Sequence, residues 1–318
     1  MATKSKPSKT PMEPAVRYLR YEMTNSGTPG TETSHYIDLA KDLSVVNRRL
    51  YRQGKDYHVK KITIVSANTP NAGDPGTANN NRVSVSTAMD SWVTRNAWKR
   101  AFQVWNKMNA EASANLSGDI SGTWADFKVY LSKDMRDGTI VLPKDNGGNT
   151  GVLNEWVYSQ MVSPDGTTSA DSFALGLLGD HNGAAGNRNY VGLIKSYGES
   201  RATVNNDDPT VPGEASDDPL ANVFDYGTTL DEVVDHLEAY NDRPPYDVAD
   251  YAGADTNMPK PIVVQDTTLV DGRAIMAGFN AICGLLEFEI KSPVASDVYS
   301  VLVELAPGKY RGIKAERV

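Results

Sequence analysis

The chain has 318 residues, of which 40% are hydrophobic and 23% charged, and its formal net charge is −8. This composition excludes wholesale disorder and suffices for one large folded domain or two smaller ones. No stretch approaches the roughly 20 apolar residues of a membrane-spanning helix, and the single cysteine, Cys283, excludes an internal disulfide or a multi-cysteine zinc site.

The first 14 residues are polar and rich in Lys, Pro, Ser and Thr, which predicts a disordered basic arm over residues 1–14. The arm lacks the apolar run of a signal peptide. We therefore expect synthesis in the cytosol without export by the usual route.

A strand is predicted over residues 15–24, followed by an amphipathic helix over residues 37–54. Asp38 is the expected N-cap of that helix and Gly54 its expected end. Its apolar face would consist of Leu39, Leu43, Val46 and Leu50.

Strands over residues 57–68 and 82–87 precede a second predicted helix, residues 89–112. The second helix carries an aromatic stripe with nearby cations, which could stack on bases. Core packing is the commoner role of aromatics at helical spacing, and we favour it. The stripe consists of Trp92, Trp98, Phe102 and Trp105.

Short strands separated by turn residues dominate the rest of the chain, with one further helix predicted over residues 228–242. The strands are predicted over residues 123–132, 138–143, 155–164, 188–204 (one or two strands), 285–292 and 298–315. Many short strands with only two or three helices predict an antiparallel all-β fold.

Charge is divided along the chain. Residues 1–110 hold 17 Lys or Arg and 8 Asp or Glu, whereas residues 111–318 hold 15 and 32. Residues 47–61 alone gather six cations against one acid, and residues 205–260 hold 14 acids. Such a division of charge favours a protein with one surface that binds a polyanion and another that faces water. Basic runs are, however, often only solvent-exposed faces without a partner.

Catalytic signals are weak. The four histidines are scattered, and no phosphate loop, nucleophile elbow or metalloprotease histidine pair is present. Cys283 lies in an apolar run that favours an inert core thiol. Glu232 and His236 could share a metal at i and i+4, but a solvated helix face is the better interpretation. We therefore predict no catalytic residue, no metal and no cofactor.

Two parts of the chain carry a family resemblance: residues 36–66 with 85–109, and residues 281–315. They resemble the capsid proteins of environmental, often marine, circular Rep-encoding single-stranded DNA (CRESS-DNA) viruses. The resemblance implies a single eight-stranded antiparallel jelly roll with two or three helices in inter-strand loops. It also implies a shell domain over residues 15–318, in which residues 205–260 would be an acidic surface insertion.

The resemblance further implies an icosahedral shell of identical subunits around a single-stranded DNA genome, located in the virion. We expect synthesis in the host cytoplasm, assembly there or in the nucleus, an unidentified host receptor and no membrane partner. Binding would use non-sequence-specific phosphate contacts. The candidate DNA-binding residues are Lys4, Lys6, Lys9, Arg17, Arg20, Arg48, Arg49, Arg52, Lys60 and Lys61.

Three alternatives stay open. The ordered cations could instead form salt bridges with acids of a neighbouring subunit. The chain could be a single-stranded nucleic-acid-binding protein that builds no shell, which particle size would distinguish. A jelly-roll carbohydrate-active enzyme ranks last; it would need paired carboxylates such as Glu287 and Glu289 in a cleft.

Overall fold

The computed structural model describes residues 13–66, 81–114, 124–152, 155–162, 172–184, 187–201, 245–246, 250–269 and 271–318. Its strands are β1 (Tyr18–Thr24), β2 (Glu32–Asp38), β3 (Lys55–Ser66), β4 (Arg82–Thr87), β5 (Gln160–Val162), β6 (Ser172–Gly176), β7 (Asn182–Ala184), β8 (Asn187–Gly192), β9 (Ile262–Thr268), β10 (Arg273–Met276), β11 (Phe279–Ile282), β12 (Leu285–Lys291), β13 (Val298–Leu305), β14 (Pro307–Gly308), β15 (Gly312–Ile313) and β16 (Ala315–Arg317). Its helices are α1 (Leu39–Asn47), α2 (Trp92–Ala114), α3 (Lys133–Asp137) and α4 (Leu193–Glu199).

Two antiparallel sheets, one of six strands and one of four, form the main body. The first sheet has the order β1-β13-β3-β10, and β11 and β16 also pair with β3. The second sheet has the order β2-β12-β4-β9. The pairs are nested along the chain, because β1 pairs with β13, β2 with β12, β3 with β10 and β4 with β9. The expectation of a mostly β, antiparallel body is confirmed.

The main core lies between these two sheets. In β13, Val301, Val303 and Leu305 are fully buried, whereas the residues between them are at least partly exposed. In β12, Phe288 and Ile290 contribute to the same cluster. Successive side chains of a strand point to opposite faces, so this alternation is what a sheet with one covered face requires.

Residues between β4 and β9 build a second layer with its own apolar cluster. It contains α2, α3, α4 and a small sheet of order β5-β6-β8-β7. Trp98 of α2 is buried there and stacks on Phe102 at 5.2 Å between ring centroids. Phe102 and Trp105 pack partly buried against the same cluster, so the prediction of core packing is confirmed for these three aromatics. Trp92 is more exposed, but its ring contacts Tyr251 at 5.6 Å.

Helix α1 is shorter than predicted. Asp38 is its N-cap as expected, accepting a hydrogen bond from the Lys41 backbone N–H at 3.1 Å. The helix ends at Asn47, because Arg48 adopts a left-handed conformation with φ 51°. The prediction that the helix continues to Gly54 is therefore wrong.

Several middle elements also differ from prediction. The predicted strand 138–143 forms only a single bridge at Ile140, and most of the described part of 123–132 is extended without a ladder. Residues 193–199, predicted as strand, form α4. The described residues contain four helices instead of the predicted two or three.

Two predictions concern segments that the structure does not describe. The predicted helix 228–242 lies outside the described residues, as does most of the acidic segment 205–260. Among the described helices, none combines the length and apolar character needed to cross a membrane.

Candidate nucleic-acid interface

The structure places the predicted DNA-binding residues in two separate regions. Arg17, Arg20, Lys60 and Lys61 belong to β1, β3 and their margins, in the first sheet. Arg48, Arg49 and Arg52 lie in the loop after α1. Lys4, Lys6 and Lys9 are outside the described residues.

Three of the four cations of the first sheet, Arg20, Lys60 and Lys61, are paired with carboxylates of the same chain. Lys60 Nζ lies 2.5 Å from Glu304 Oε1, and Lys61 Nζ lies 3.8 Å from Glu304 Oε2. The Lys60 hydrogen bond is the main reason why the pKa of Glu304 is lowered. Arg20 pairs with Glu22 at 2.6 Å. The positive charge of this face is thus largely offset within the subunit.

The loop after α1 is held against the middle of the chain by buried polar contacts. The Tyr51 N–H donates to Ser44 Oγ at 2.8 Å, which folds the loop back onto α1. The Val129 N–H donates to Gln53 Oε1 at 2.5 Å, and Gln53 Nε2 donates to the Val129 carbonyl at 2.9 Å. These bonds fix Arg48 at the turn and bring the loop beside residues 124–130.

A pocket of about 360 Å³ opens where these segments meet. It contains three cations, two tryptophans and a single carboxylate, and we call it the Trp124 pocket. Its lining residues are Ser44, Val45, Arg48, Arg49, Leu50, Trp124, Lys128, Glu155 and Trp156.

The charged groups of the Trp124 pocket are only partly neutralised. Arg48 Nη1 lies 2.6 Å from Glu155 Oε1, yet the Arg48 side chain remains 72% exposed. Lys128 Nζ lies 4.5 Å from the centroid of the Trp156 ring, a cation–π contact. Burial is the main reason why the pKa of Lys128 is lowered.

The two tryptophans differ in burial. Trp124 is 71% exposed, whereas Trp156 is only 8% exposed. The buried Trp156 Nε1 has no hydrogen-bond acceptor among the described residues. A buried N–H without an acceptor is uncommon in folded proteins, since leaving it unpaired costs free energy.

Arg52, although close in sequence, has a different role. Its Nη1 lies 2.9 Å from Oδ1 of Asp126, whose side chain is almost fully buried. Burial raises the pKa of Asp126, and Arg52 opposes that rise. Arg52 therefore stabilises a buried carboxylate and is less available to an external phosphate than Arg48 or Arg49.

Sequence reasoning missed Trp124, Lys128 and Trp156. A usable signal was present, because Phe127, Val129 and Leu131 are the buried positions of their segment. Alternation then assigns Trp124 and Lys128 to the opposite, polar side.

Glu287 and Glu289, the carboxylates considered for an enzyme, lie together in a groove of about 410 Å³ on the second sheet. Tyr36 OH donates to Glu287 Oε1 at 2.9 Å, and Ser84 Oγ donates to Glu289 Oε2 at 3.3 Å. Burial raises the pKa of Glu287. Within the described residues, no group of three or more His, Cys, Asp or Glu side chains is placed to hold a metal ion.

Comparison of the chain with protein-family models, with curated proteins and with solved structures finds no match. Support for a function therefore comes from the residues and geometry of this chain.

Proposed function

We propose that the chain is the subunit of an icosahedral viral capsid that packages single-stranded DNA through non-sequence-specific phosphate contacts. The observation that carries the proposal is the nested pairing of eight strands along the chain. In chain order, the first of these strands (β1) pairs with the last (β13), and the fourth (β4) pairs with the fifth (β9). A single jelly roll has this arrangement, and viral capsids are prominent among the proteins that use it.

An exposed apolar patch on the outer face of the first sheet supports self-assembly. Across β13, β3 and β10, Leu302, Thr63 and Ile275 lie side by side in one row of cross-strand neighbours. The adjacent row consists of Ser300, Val65 and Arg273. The apolar side chains of this patch are Val65, Ile275, Val298 and Leu302, which are 45%, 59%, 43% and 39% exposed. These apolar side chains are interspersed with Thr63, Ser300 and Arg273 on one sheet face. Exposed apolar surface of this kind can serve as a protein–protein interface, and a second copy of the chain is the partner that a shell requires.

The Trp124 pocket supports binding of a polyanion. Arg48, Arg49 and Lys128 outnumber the single acid, Glu155. Arg49 Nη1 also lies 3.1 Å from Oε2 of Glu13, the first described residue. The basic arm therefore joins the described body beside this pocket.

Negative-stain electron microscopy of the expressed full chain tests assembly. We expect uniform particles, and a homogeneous population of single subunits would refute the capsid proposal. The double variant Ile275→Ser, Leu302→Ser should give free subunits with an unchanged melting curve, because both side chains are exposed. As a matched control, Val104→Ser with Val152→Ser removes exposed apolar side chains outside the patch and should leave the particles intact.

Nucleic-acid content tests packaging. Raising the salt concentration should release bound nucleic acid and lower the 260/280 nm absorbance ratio, because phosphate contacts release counterions. Deleting residues 1–10 should reduce the nucleic-acid content without changing the fold. An absorbance ratio that is independent of salt in the intact chain would contradict the phosphate-contact mechanism.

A second candidate is a single-stranded nucleic-acid-binding protein that builds no shell, and the combination of cations and an exposed tryptophan in the Trp124 pocket favours it. DNA binding by monomers or small oligomers, without particles, would select this candidate over the capsid.

A further inference from the structure

We infer that the Trp124 pocket binds one nucleotide of single-stranded nucleic acid, with the base stacked on Trp124 and the phosphate held by Arg48 and Arg49. The inference deepens the proposed function and rests on it, because it assigns the nucleic-acid contact to one pocket and names the chemistry of each part of that pocket.

Phosphate recognition is supported by the donors that Arg48 and Arg49 retain. A guanidinium carries five N–H donors in a planar fork that matches phosphate oxygens. The described hydrogen bonds of Arg48 and Arg49 to Glu155, Glu13 and the Pro14 carbonyl all use Nη1. Each arginine therefore has further N–H groups with which to contact a phosphate.

Base stacking is supported by the exposure of Trp124. A tryptophan that is 71% exposed at the edge of a pocket leaves a large aromatic surface in contact with water. Every base has a π-face, so stacking on such a ring tolerates any sequence. The volume of about 360 Å³ is near the lower end of the usual range for ligand pockets and suits one nucleotide better than a longer stretch.

Trp156 contributes a buried aromatic wall to the pocket. Its Nε1 is buried and lacks an acceptor among the described residues, so the ring and not this N–H is what the side chain presents to the pocket. Lys128, stacked over the same ring, adds positive charge next to it.

Two carboxylates oppose an anion: Glu155, which lines the pocket, and Glu13, which pairs with Arg49. The ion pair of Glu155 with Arg48 could mean that the pocket is only a closed surface contact. If the pocket is only a closed surface contact, Glu155→Gln should leave DNA binding unchanged. Removing the negative charge should tighten binding by about two- to fivefold if an anion enters the pocket.

The experiment uses fluorescence anisotropy of full-length protein freed of nucleic acid in high salt. The probes are a labelled oligo-dT of eight nucleotides and an abasic deoxyribose-phosphate oligomer of the same length. Trp124→Ala should weaken oligo-dT binding by about 5- to 150-fold and leave abasic binding unchanged. Trp124→Phe, which retains an aromatic face, should remain within about threefold of the wild type.

The arginines should behave differently from the tryptophan. The double variant Arg48→Ala, Arg49→Ala should weaken binding of both probes and reduce the slope of log K against log salt by about 1.4, or 0.7 for each lost phosphate contact. Lys314→Ala serves as the control, because Lys314 is exposed and does not line the pocket. It should leave binding of both probes close to wild type.

Three results would overturn the inference: oligo-dT binding unaffected by Trp124→Ala, an equal loss on the abasic probe, or unchanged or weaker binding by Glu155→Gln. In each case the wild type still binds DNA, so the proposed function would stand while its assignment to this pocket fails. If the wild type binds neither probe and forms no particles, the proposed function fails together with the inference.

Discussion

Replacing Asp42 with asparagine should remove part of a pH dependence that two buried carboxylates give to the stability of the fold. Asp38 and Asp42 lie at the start of α1, and both are fully buried. Asp42 Oδ2 accepts from Tyr21 OH at 2.6 Å, but its Oδ1 has no partner among the described residues. Asp38 Oδ2 accepts from Gln53 Nε2 and Tyr158 OH, each at 3.1 Å.

The magnitude follows from the pKa values. Burial raises the pKa of Asp38 from 3.8 to about 6, which corresponds to about 3 kcal/mol of stability at 1.36 kcal/mol for each pH unit. The folded state holds the proton more tightly than the unfolded state. This contribution is therefore fully present below about pH 4 and is lost as the pH rises through about 6.

Asp42 extends this loss of stability to higher pH, because burial raises the pKa of Asp42 well above the usual value. The charged and titratable groups that face it are Asp38, which raises this pKa, and Lys41 and Tyr21, which lower it. Asparagine cannot ionise, and its side-chain oxygen still accepts a hydrogen bond from Tyr21.

Urea unfolding of the wild type and Asp42→Asn between pH 5 and pH 8 measures the effect. The stability of the variant relative to the wild type should increase with pH, by up to about 1.4 kcal/mol for each unit. Asp145→Asn is the control without a pH effect, because hydrogen bonds from Asn149 lower the pKa of the exposed Asp145. This carboxylate is ionised in both the folded and the unfolded state above about pH 5, so its stability difference from the wild type should stay constant between pH 5 and pH 8. A stability difference between Asp42→Asn and wild type that is the same at pH 5 and pH 8 would refute the reasoning.

Three further substitutions test the packing. Gly284→Ala should lower the free energy of unfolding, measured in urea, by about 1–2 kcal/mol, because Gly284 has φ 71° and a Cβ there would lie 3.0–3.2 Å from three neighbouring atoms. In the control Gly30→Ala, the backbone has φ 76° but a Cβ would have no atom within 4 Å, so the free energy of unfolding should fall less. Phe288→Ala, at a fully buried position, should lose about 3–5 kcal/mol, and a loss below 1 kcal/mol would contradict its place in the core. Tyr36→Phe should lower the free energy of unfolding by about 1–3 kcal/mol. This loss of stability should grow as the pH rises, because the Tyr36 hydroxyl favours the charged form of Glu287. A loss of stability that shrinks as the pH rises would contradict this reasoning.

Strands at both ends of the chain could be predicted from the sequence because their signal is local. In β13, buried and exposed residues alternate along the sequence, with Val301, Val303 and Leu305 facing the core. Strand β1 shows the same alternation. The N-cap Asp38 could also be predicted locally, because its hydrogen-bond partner, the Lys41 N–H, lies three residues away.

Middle elements could not be predicted because strands such as β6 and β7 are short and show no regular alternation of buried and exposed residues. The Tyr130 N–H donates to the Leu175 carbonyl at 2.8 Å, a contact that no local pattern reveals. The early end of α1 depends on the left-handed backbone of Arg48, a residue type that rarely adopts it. The Trp124 pocket depends on both features, so its two arginines were found but not its tryptophans or lysine.

A single cationic run in the sequence becomes several unlike sites in the folded chain. Arg52 is paired with Asp126, 74 residues away, and Lys60 with Glu304, 244 residues away. Arg48 and Arg49 are also paired, with Glu155 and Glu13. They differ from the other cations of the run because they line one open pocket together with Lys128, and we infer that these three cations are the best placed to meet a phosphate.

The salt dependence of binding should show this division. If all ten predicted residues contacted phosphates, the slope of log K against log salt for single-stranded DNA would be about −7 for each subunit. Three ordered contacts give about −2, and three arm lysines bring it to about −4. Deleting residues 1–10 should therefore move the slope from about −4 to about −2. A slope of about −5 in the deleted chain, the value for the seven predicted residues that remain, would mean that the internally paired cations exchange their carboxylate partners for phosphate.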